Sequence, residues 1–264
     1  TLFPSAEMEN ARQRHAGEYI SIPELGTYYV GFDADRPPFD ACPVRQAFVL
    51  AADRETLVDV IGEGWAFPAT GGFVPRGMPG HSAGIGLPFH PQQARELLAD
   101  AGYPDGRGFP TVDAWVPSGP LSSLAAEYLQ AQWRENLGVD IVWQAMEDES
   151  YVDTLRSGTP HLWLTGWVAD FFDPDNFLRV GFPWKQTGWR NEAYEGLIHE
   201  AGRVMDQGER VRLYQEADRI LVQEAAIMPL AYGRCHLLVK PWVRRWPISM
   251  TRFWFWKDVI IDPH

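Results

Sequence analysis

The sequence predicts an α/β lobe built on a mixed sheet flanked by helices. Two observations carry this reading. Short β-rich runs alternate with segments of helical period along the chain, the pattern of a sheet with helices packed on it. Several of the helical segments begin at a capping residue or a proline and stop at a glycine, so they read as discrete elements. The composition agrees: 264 residues, 45% hydrophobic and 22% charged, are ordinary for a globular protein and long enough to bury a sizeable core.

Taken in order, Thr1–Gly26 shows no strand or helix that would bury a face. Thr27–Phe32 (TYYVGF) is a strand. A loop with Pro37 and Pro38 follows, and Pro43 suits the first turn of a helix with Val44, Ala47, Phe48 and Ala51 on one side. Asp53 caps a second helix, RETLVDVI. Gly62–Gly86 is a long Gly/Pro-rich loop, the kind that carries function or covers another element. Pro91 opens a helix with His90 as its cap and Gly102 as its stop.

Thr111–Val116 is the next strand, followed by a helix from Leu121 to Leu137 with Leu121, Leu124, Ala125, Tyr128 and Leu129 facing inward and Gly138 ending it. Val139–Trp143 (VDIVW) reads as a strand, Ser150–Ser157 as a short helix and His161–Trp167 (HLWLTGW) as another strand. Asn191 caps a helix carrying Tyr194, Leu197, Ile198, Ala201 and Met205. A second helix carries Leu213, Tyr214, Ala217, Ile220 and Leu221. Two extended runs, IMPLAY and HLLVK, and the aromatic run Met250–Trp256 complete the chain.

Charge and special residues narrow the function. With 35 acidic against 23 basic side chains the net charge is -12, which argues against a nucleic-acid partner and suits solubility or a small neutral or cationic ligand. Cys42 and Cys235 are either a distant disulfide or two thiols. His81, His90, His161, His199 and His236 show no metal-ligand spacing, so neither a metal nor another cofactor is expected. No apolar run approaches the roughly 18 residues of a membrane span. The opening residues lack a signal-peptide pattern and read as the continuation of a longer chain.

The strand HLWLTGW leads to Asp170 and then to Asp173-Pro174-Asp175-Asn176. Ligands of open α/β folds bind at the carboxyl ends of strands, so Asp170 is the leading candidate for a ligand contact. The alternative is that it caps the turn or pairs with a nearby arginine. Asp173, Asp175 and Asn176 read as structural, with Asp173-Pro174 as a cap and first helical turn. Two such carboxylates also fit a glycosidase, whose acid and base stand roughly 5–10 Å apart. No other catalytic motif supports an enzyme, so a binding protein is expected.

Five stretches, in order, resemble the family-5 extracellular solute-binding proteins, the oligopeptide-, dipeptide- and nickel-binding components of ABC importers. They are YYVGFDADRPPFDACPVRQAFVLAADRETLV, GWAFPATGGFVPRGMPG, FHPQQARELLADAGYPDG, GWVADFFDPDNFLR and ERVRLYQEADRILVQEAAIMPLAY. The resemblance covers the second half of such proteins. It implies the C-terminal lobe of a periplasmic-binding-protein type II-like fold, with 28–228 as the ligand-binding lobe. Segments 1–27 and 229–264 then lead toward a second lobe.

It further implies a monomer outside the cytoplasm, lipid-anchored in full-length form, that hands a short peptide to ABC permease subunits. In peptide-binding relatives the aspartate at the position of Asp170 meets the ligand's α-amino group. Trp167 then forms a wall, Phe171 lies beside the anchor, and Trp65, Phe67, Trp184 and Trp189 are either further walls or core packing. Where relatives of longer peptides place a basic group, this chain has Leu164, so a peptide carboxylate has no assigned partner. An oligosaccharide ligand, or a sensory module fused to a regulator, are the competing readings.

Overall fold

The computed structural model describes residues 5–62, 64–158, 160–246, 249–251 and 256–263. In chain order the elements are α1 (Ser5–Arg14), β1 (Tyr19–Phe32), α2 (Cys42–Leu50), α3 (Arg54–Ile61), β2 (Ala66–Pro68), α4 (Pro91–Asp100), β3 (Ala114–Pro117), α5 (Pro120–Leu137), β4 (Trp143–Met146), α6 (Asp148–Ser157), β5 (Leu162–Val168), a π-helical turn (Asn176–Gly181), α7 (Trp184–Thr187), α8 (Glu192–Ala201), α9 (Gln207–Gln223), β6 (Ile227–Leu238), β7 (Val243–Arg245) and β8 (Ile260–Ile261).

Six strands form one sheet in the order β2-β6-β1-β5-β3-β4. β1 runs antiparallel to both β5 and β6, while β3 runs parallel to β4 and β5, so the sheet is mixed as the sequence predicts. Strand alternation divides the core between its two faces. Val30 and Phe32 of β1, Leu162 and Leu164 of β5 and Met228 and Leu230 of β6 pack with α2, α3, α4 and α5. Tyr29 and Ile227 point the other way, onto α8, α9 and the π-helical turn. Trp163 on that second face is covered by Tyr151 and Leu155 of α6.

The helix ends follow the local chemistry read above. Asp53 accepts from the backbone N–H of Glu55 and Thr56, His90 from Gln93 and Asn191 from Tyr194. Gly138 ends α5 at φ 70°, a left-handed conformation that suits glycine. The buried face of α5 is Ala125, Ala126, Leu129, Trp133, Asn136 and Leu137, and Leu124 is exposed. Met205 lies beyond α8 and is 90% exposed.

Several expectations are corrected. Thr1–Gly26 does hold elements: α1, and the first half of β1. That half is specified by β6, more than 200 residues away, with Ile22 opposite Cys235, and it contains Pro23 at a register shift, so no local pattern marks it. IMPLAY and the first three residues of HLLVK, His236–Leu238, belong to one strand, β6. The strand after α5 begins at Trp143 and not at Val139. Val139 and Ile141 reach the core from a connecting segment, while Val142 is 67% exposed. Cys42 and Cys235, left open between a disulfide and two thiols, are both thiols. Of the aromatic run Met250–Trp256, residues 252–255 lie outside the described residues.

Candidate functional site at the carboxyl end of β5

β5 leaves the sheet at Val168, and the next N–H, of Ala169, still bonds to the Leu25 carbonyl at 2.8 Å. Asp170 is therefore the first residue clear of the ladder. Its backbone N–H donates to the Asn176 side-chain oxygen at 3.1 Å, and Trp167 Nε1 donates to the same oxygen at 2.8 Å. Asn176 is 0% exposed. One buried amide thus fixes both the strand end and the indole plane. The Trp167 ring also lies on Gly181, where an added Cβ would stand 2.5 Å from it.

The charges around the turn are partitioned. Asp173 accepts from the Asp175 N–H at 2.9 Å, an Asx turn and not the helix cap expected, and it binds Arg210 at 2.5 and 2.8 Å. Asp175 takes hydrogen bonds from Arg179 Nε and from the Tyr214 hydroxyl, both at 2.9 Å. Burial pushes the Asp175 carboxyl up, and the bonds from Arg179 and Tyr214 outweigh it, holding the group below the ordinary carboxylate range. Asp173, Asp175 and Asn176 are structural, as read. Both neighbouring arginines are consumed by them. Asp170 is exposed, and no described residue pairs with its carboxylate.

The aromatic candidates do not form one wall. Trp167 and Phe171 accompany Asp170. Phe171 is 44% exposed and its neighbour Phe172 58%. Trp65 precedes β2, where its ring meets His236 at 5.5 Å. β2 and β5 are three strands apart, about 14 Å at ordinary strand spacing. Trp189 is corrected to a core residue: it is 4% exposed, with Nε1 on the Glu224 carboxylate at 2.9 Å and edge contacts to Phe182 and Tyr194. Trp184 packs edge-on against Phe182 and Tyr194 beyond the π-helical turn, and it lines a separate cavity. Leu164 is 5% exposed in the core, so that position offers nothing to a guest.

The long Gly/Pro loop joins the two ends of this region. Gly80 rests on Pro174 of the Asp173–Asn176 turn. Further back, the loop is pinned by buried Asp218, whose carboxylate accepts the N–H groups of Phe73 at 2.7 Å and Val74 at 3.3 Å, while the Tyr232 hydroxyl donates to the Gly72 carbonyl. Burial pushes the Asp218 carboxyl up to about 7. The sequence reading missed Arg76 and Arg234. Their guanidinium groups lie 4.9 and 4.7 Å from the Phe67 ring centre, and Arg76 is exposed. The signal for Arg234 lies in the β6 register, which no local pattern reveals.

Among the described residues no three His, Cys, Asp or Glu side chains converge as a metal site. The arrangement presents a carboxylate without a partner among the described residues, a fixed indole and a pinned loop, which suits binding of a cation.

Residues 2–189 match the family profile described as bacterial extracellular solute-binding proteins, family 5 Middle. The chain is 29% identical over 261 residues to a di/tripeptide-binding protein of Pseudomonas aeruginosa, covering 94% of this chain and 48% of that protein. It is also 29% identical to the periplasmic oligopeptide-binding protein OppA of Escherichia coli, over 92% of this chain and 45% of that one. The solved structure of the Escherichia coli murein tripeptide binding protein MppA superposes with a TM-score of 0.87 at 25% identity, covering 99% of this chain and 53% of its own. The Helicobacter pylori protein DppA in complex with the peptide STSA gives 0.82 at 25% identity, over 100% and 52%. The chain spans about half the length of the relatives it matches.

Proposed function

The chain belongs to the bacterial extracellular solute-binding proteins of family 5, and from that premise we propose that it forms the C-terminal ligand-binding half of a protein that captures short peptides for an ABC importer. The observation that carries this reading is the Asp170 carboxylate, exposed and without a partner among the described residues while Asp173 and Asp175 take up the adjacent arginines. A protonated α-amino group is its natural counterpart. A charge-assisted hydrogen bond of this kind contributes about 1.5–3 kcal/mol. Relatives named for dipeptides, tripeptides and oligopeptides support the ligand class.

In this reading residues 28–228 are the binding lobe, and 1–27 with 229–264 lead to a second lobe that closes over the ligand. The outer halves of β1 and β6 support it: Tyr19–Ile22 pair with Cys235–Leu238 and are only half buried. Trp167 and Phe171 wall the amino-terminal residue of the peptide. Arg76 on the pinned loop is the available partner for a ligand carboxylate, the role that Leu164 cannot fill. The protein acts by binding and release, outside the cytoplasmic membrane.

A thermal-shift screen tests the proposal. Di- and tripeptides should raise the melting temperature of the wild-type protein, and Asp170→Asn should remove most of that rise. Stabilisation by cello-oligosaccharides with no response to peptides would refute it.

A further inference from the structure

We propose that the groove between the π-helical turn and α8 is a second binding site, for a small, multiply charged oxyanion. The groove is a cavity of about 650 Å³ lined by Arg179, Trp184, Arg190, Glu195, His199 and Arg203, together with Ile198 and Gly202. None of Asp170, Trp167 and Phe171 lines it.

The charge here runs against the molecule. The chain has 35 acidic and 23 basic side chains, yet three of the charged groups on this cavity are guanidinium groups and one is a carboxylate. Arg179 is taken by Asp175. Arg190 bonds only the neighbouring Trp189 carbonyl, at 3.2 Å, and neither it nor Arg203 contacts a carboxylate among the described residues. Two guanidinium forks therefore line one cavity without a carboxylate in contact with either among the described residues. Such forks are the side chains best shaped to hold carboxylate or phosphate oxygens in pairs.

The cavity is also shaped. Trp184 is held edge-on by Phe182 and Tyr194, and its Nε1 donates to the Arg179 carbonyl at 3.2 Å. Arg190 lies over its ring at 6.0 Å, which directs one guanidinium across the groove. The exposed His199 adds a further nitrogen to the rim. Glu195 is the one repulsive group. It sets the sign of the prediction: removing its charge should strengthen an anion and weaken an ammonium.

The oxyanion could be a free ion or an acidic side chain of a peptide, and the test separates them. Calorimetric titrations at fixed ionic strength would use pyrophosphate, citrate and acetate, and an Asp-containing tripeptide beside its Ala counterpart. Pyrophosphate and citrate should bind measurably tighter than acetate. The double variant Arg190→Ala/Arg203→Ala should lose at least roughly tenfold in affinity, and Glu195→Gln should gain severalfold. Arg107→Ala, a change at an exposed arginine of the α4–β3 connection, should change nothing. Both groove arginines are exposed, so near-ultraviolet circular dichroism should be unaltered in the double variant.

Asp170→Asn keeps pyrophosphate binding if this inference holds, whatever becomes of the peptide reading. If the anion is a peptide side chain, the tripeptide preference for Asp over Ala disappears in the double variant. Unchanged pyrophosphate affinity in the double variant, equal binding of acetate, or weaker binding in Glu195→Gln would overturn the site.

Discussion

Asn176 carries more of the site than its neutral side chain suggests. Its oxygen is shared by the Asp170 N–H and Trp167 Nε1, and it is fully buried. Asn176→Leu leaves two donors without a partner. The expected loss is about 1–3 kcal/mol of stability, measured by urea unfolding, together with a weakened peptide response as Trp167 loses its tether. Unaltered stability would mean that water replaces the amide.

Asp218 makes a prediction of opposite character. Its folded-state pKa is raised, by burial, from the ordinary carboxylate value to about 7. The folded protein therefore holds a proton that the unfolded chain gives up, and stability falls as pH rises from about 4 to about 7. Asp218→Asn should cost about 1–3 kcal/mol at pH 4, because Phe73 and Val74 donate to different oxygens of Asp218 and the substitution sets an NH2 donor against one of those two N–H groups. It should also flatten the decline across that window. Equal slopes for the two proteins would show that Asp218 stays ionised throughout. None of these roles was legible in the sequence. DPDN could be read as structural from residue type alone, but which acid kept its charge free depended on where Arg179 and Arg210 reach.

At the level of elements, α2 is tied to the end of α9 by Cys42, Gln46 and above all Arg45. Arg45, 3% exposed, donates to the carbonyls of Phe39, Asp40, Glu224 and Ala225. Arg45→Met keeps the volume but leaves those carbonyls short of donors. It should destabilise by roughly 2–3 kcal/mol. Two glycines test the loop and helix assignments with opposite signs. A Cβ at Gly72 would stand 1.9 Å from the Asp218 carboxylate, so Gly72→Ala should break the loop anchor and lower the melting temperature. Gly196, within α8, has nothing within 4 Å, so Gly196→Ala should raise stability by about 1 kcal/mol.

The elements that the sequence revealed are those whose ends are set locally, by Asp53, His90, Asn191 and Gly138. The first half of β1 escaped because its partner is distant in sequence. β4 was misplaced because Val139 and Ile141 alternate inward like a strand while packing from a connection. Trp189 stayed open between wall and core for a similar reason: residue type does not distinguish an aromatic that walls a groove from one that fills a core.

For the whole molecule, the mixed sheet separates two tasks. Buried cores on both faces, under α2–α5 and under α8, α9 and the π-helical turn, hold the lobe together, and the end of β5 carries the exposed Asp170 charge. The outer reaches of β1 and β6 pair with each other and are only half buried, which is where a second lobe would be joined in the proposed closure. The family and fold class were legible because five local stretches occur in the family's order. Of the proposed site, the sequence offered Asp170, Trp167 and Phe171 as candidates, while the neutralisation of Arg179 and Arg210 by their neighbours emerges only from the fold. The central claim is that the Asp170 carboxylate meets a peptide's amino terminus. The most direct measurement compares a dipeptide with its N-acetylated form by calorimetry, on wild type and Asp170→Asn. The free amine should bind roughly 10- to 100-fold tighter than the acetylated form to the wild type, and the gap should close in the variant. Equal affinity of the two peptides for the wild type would contradict the account.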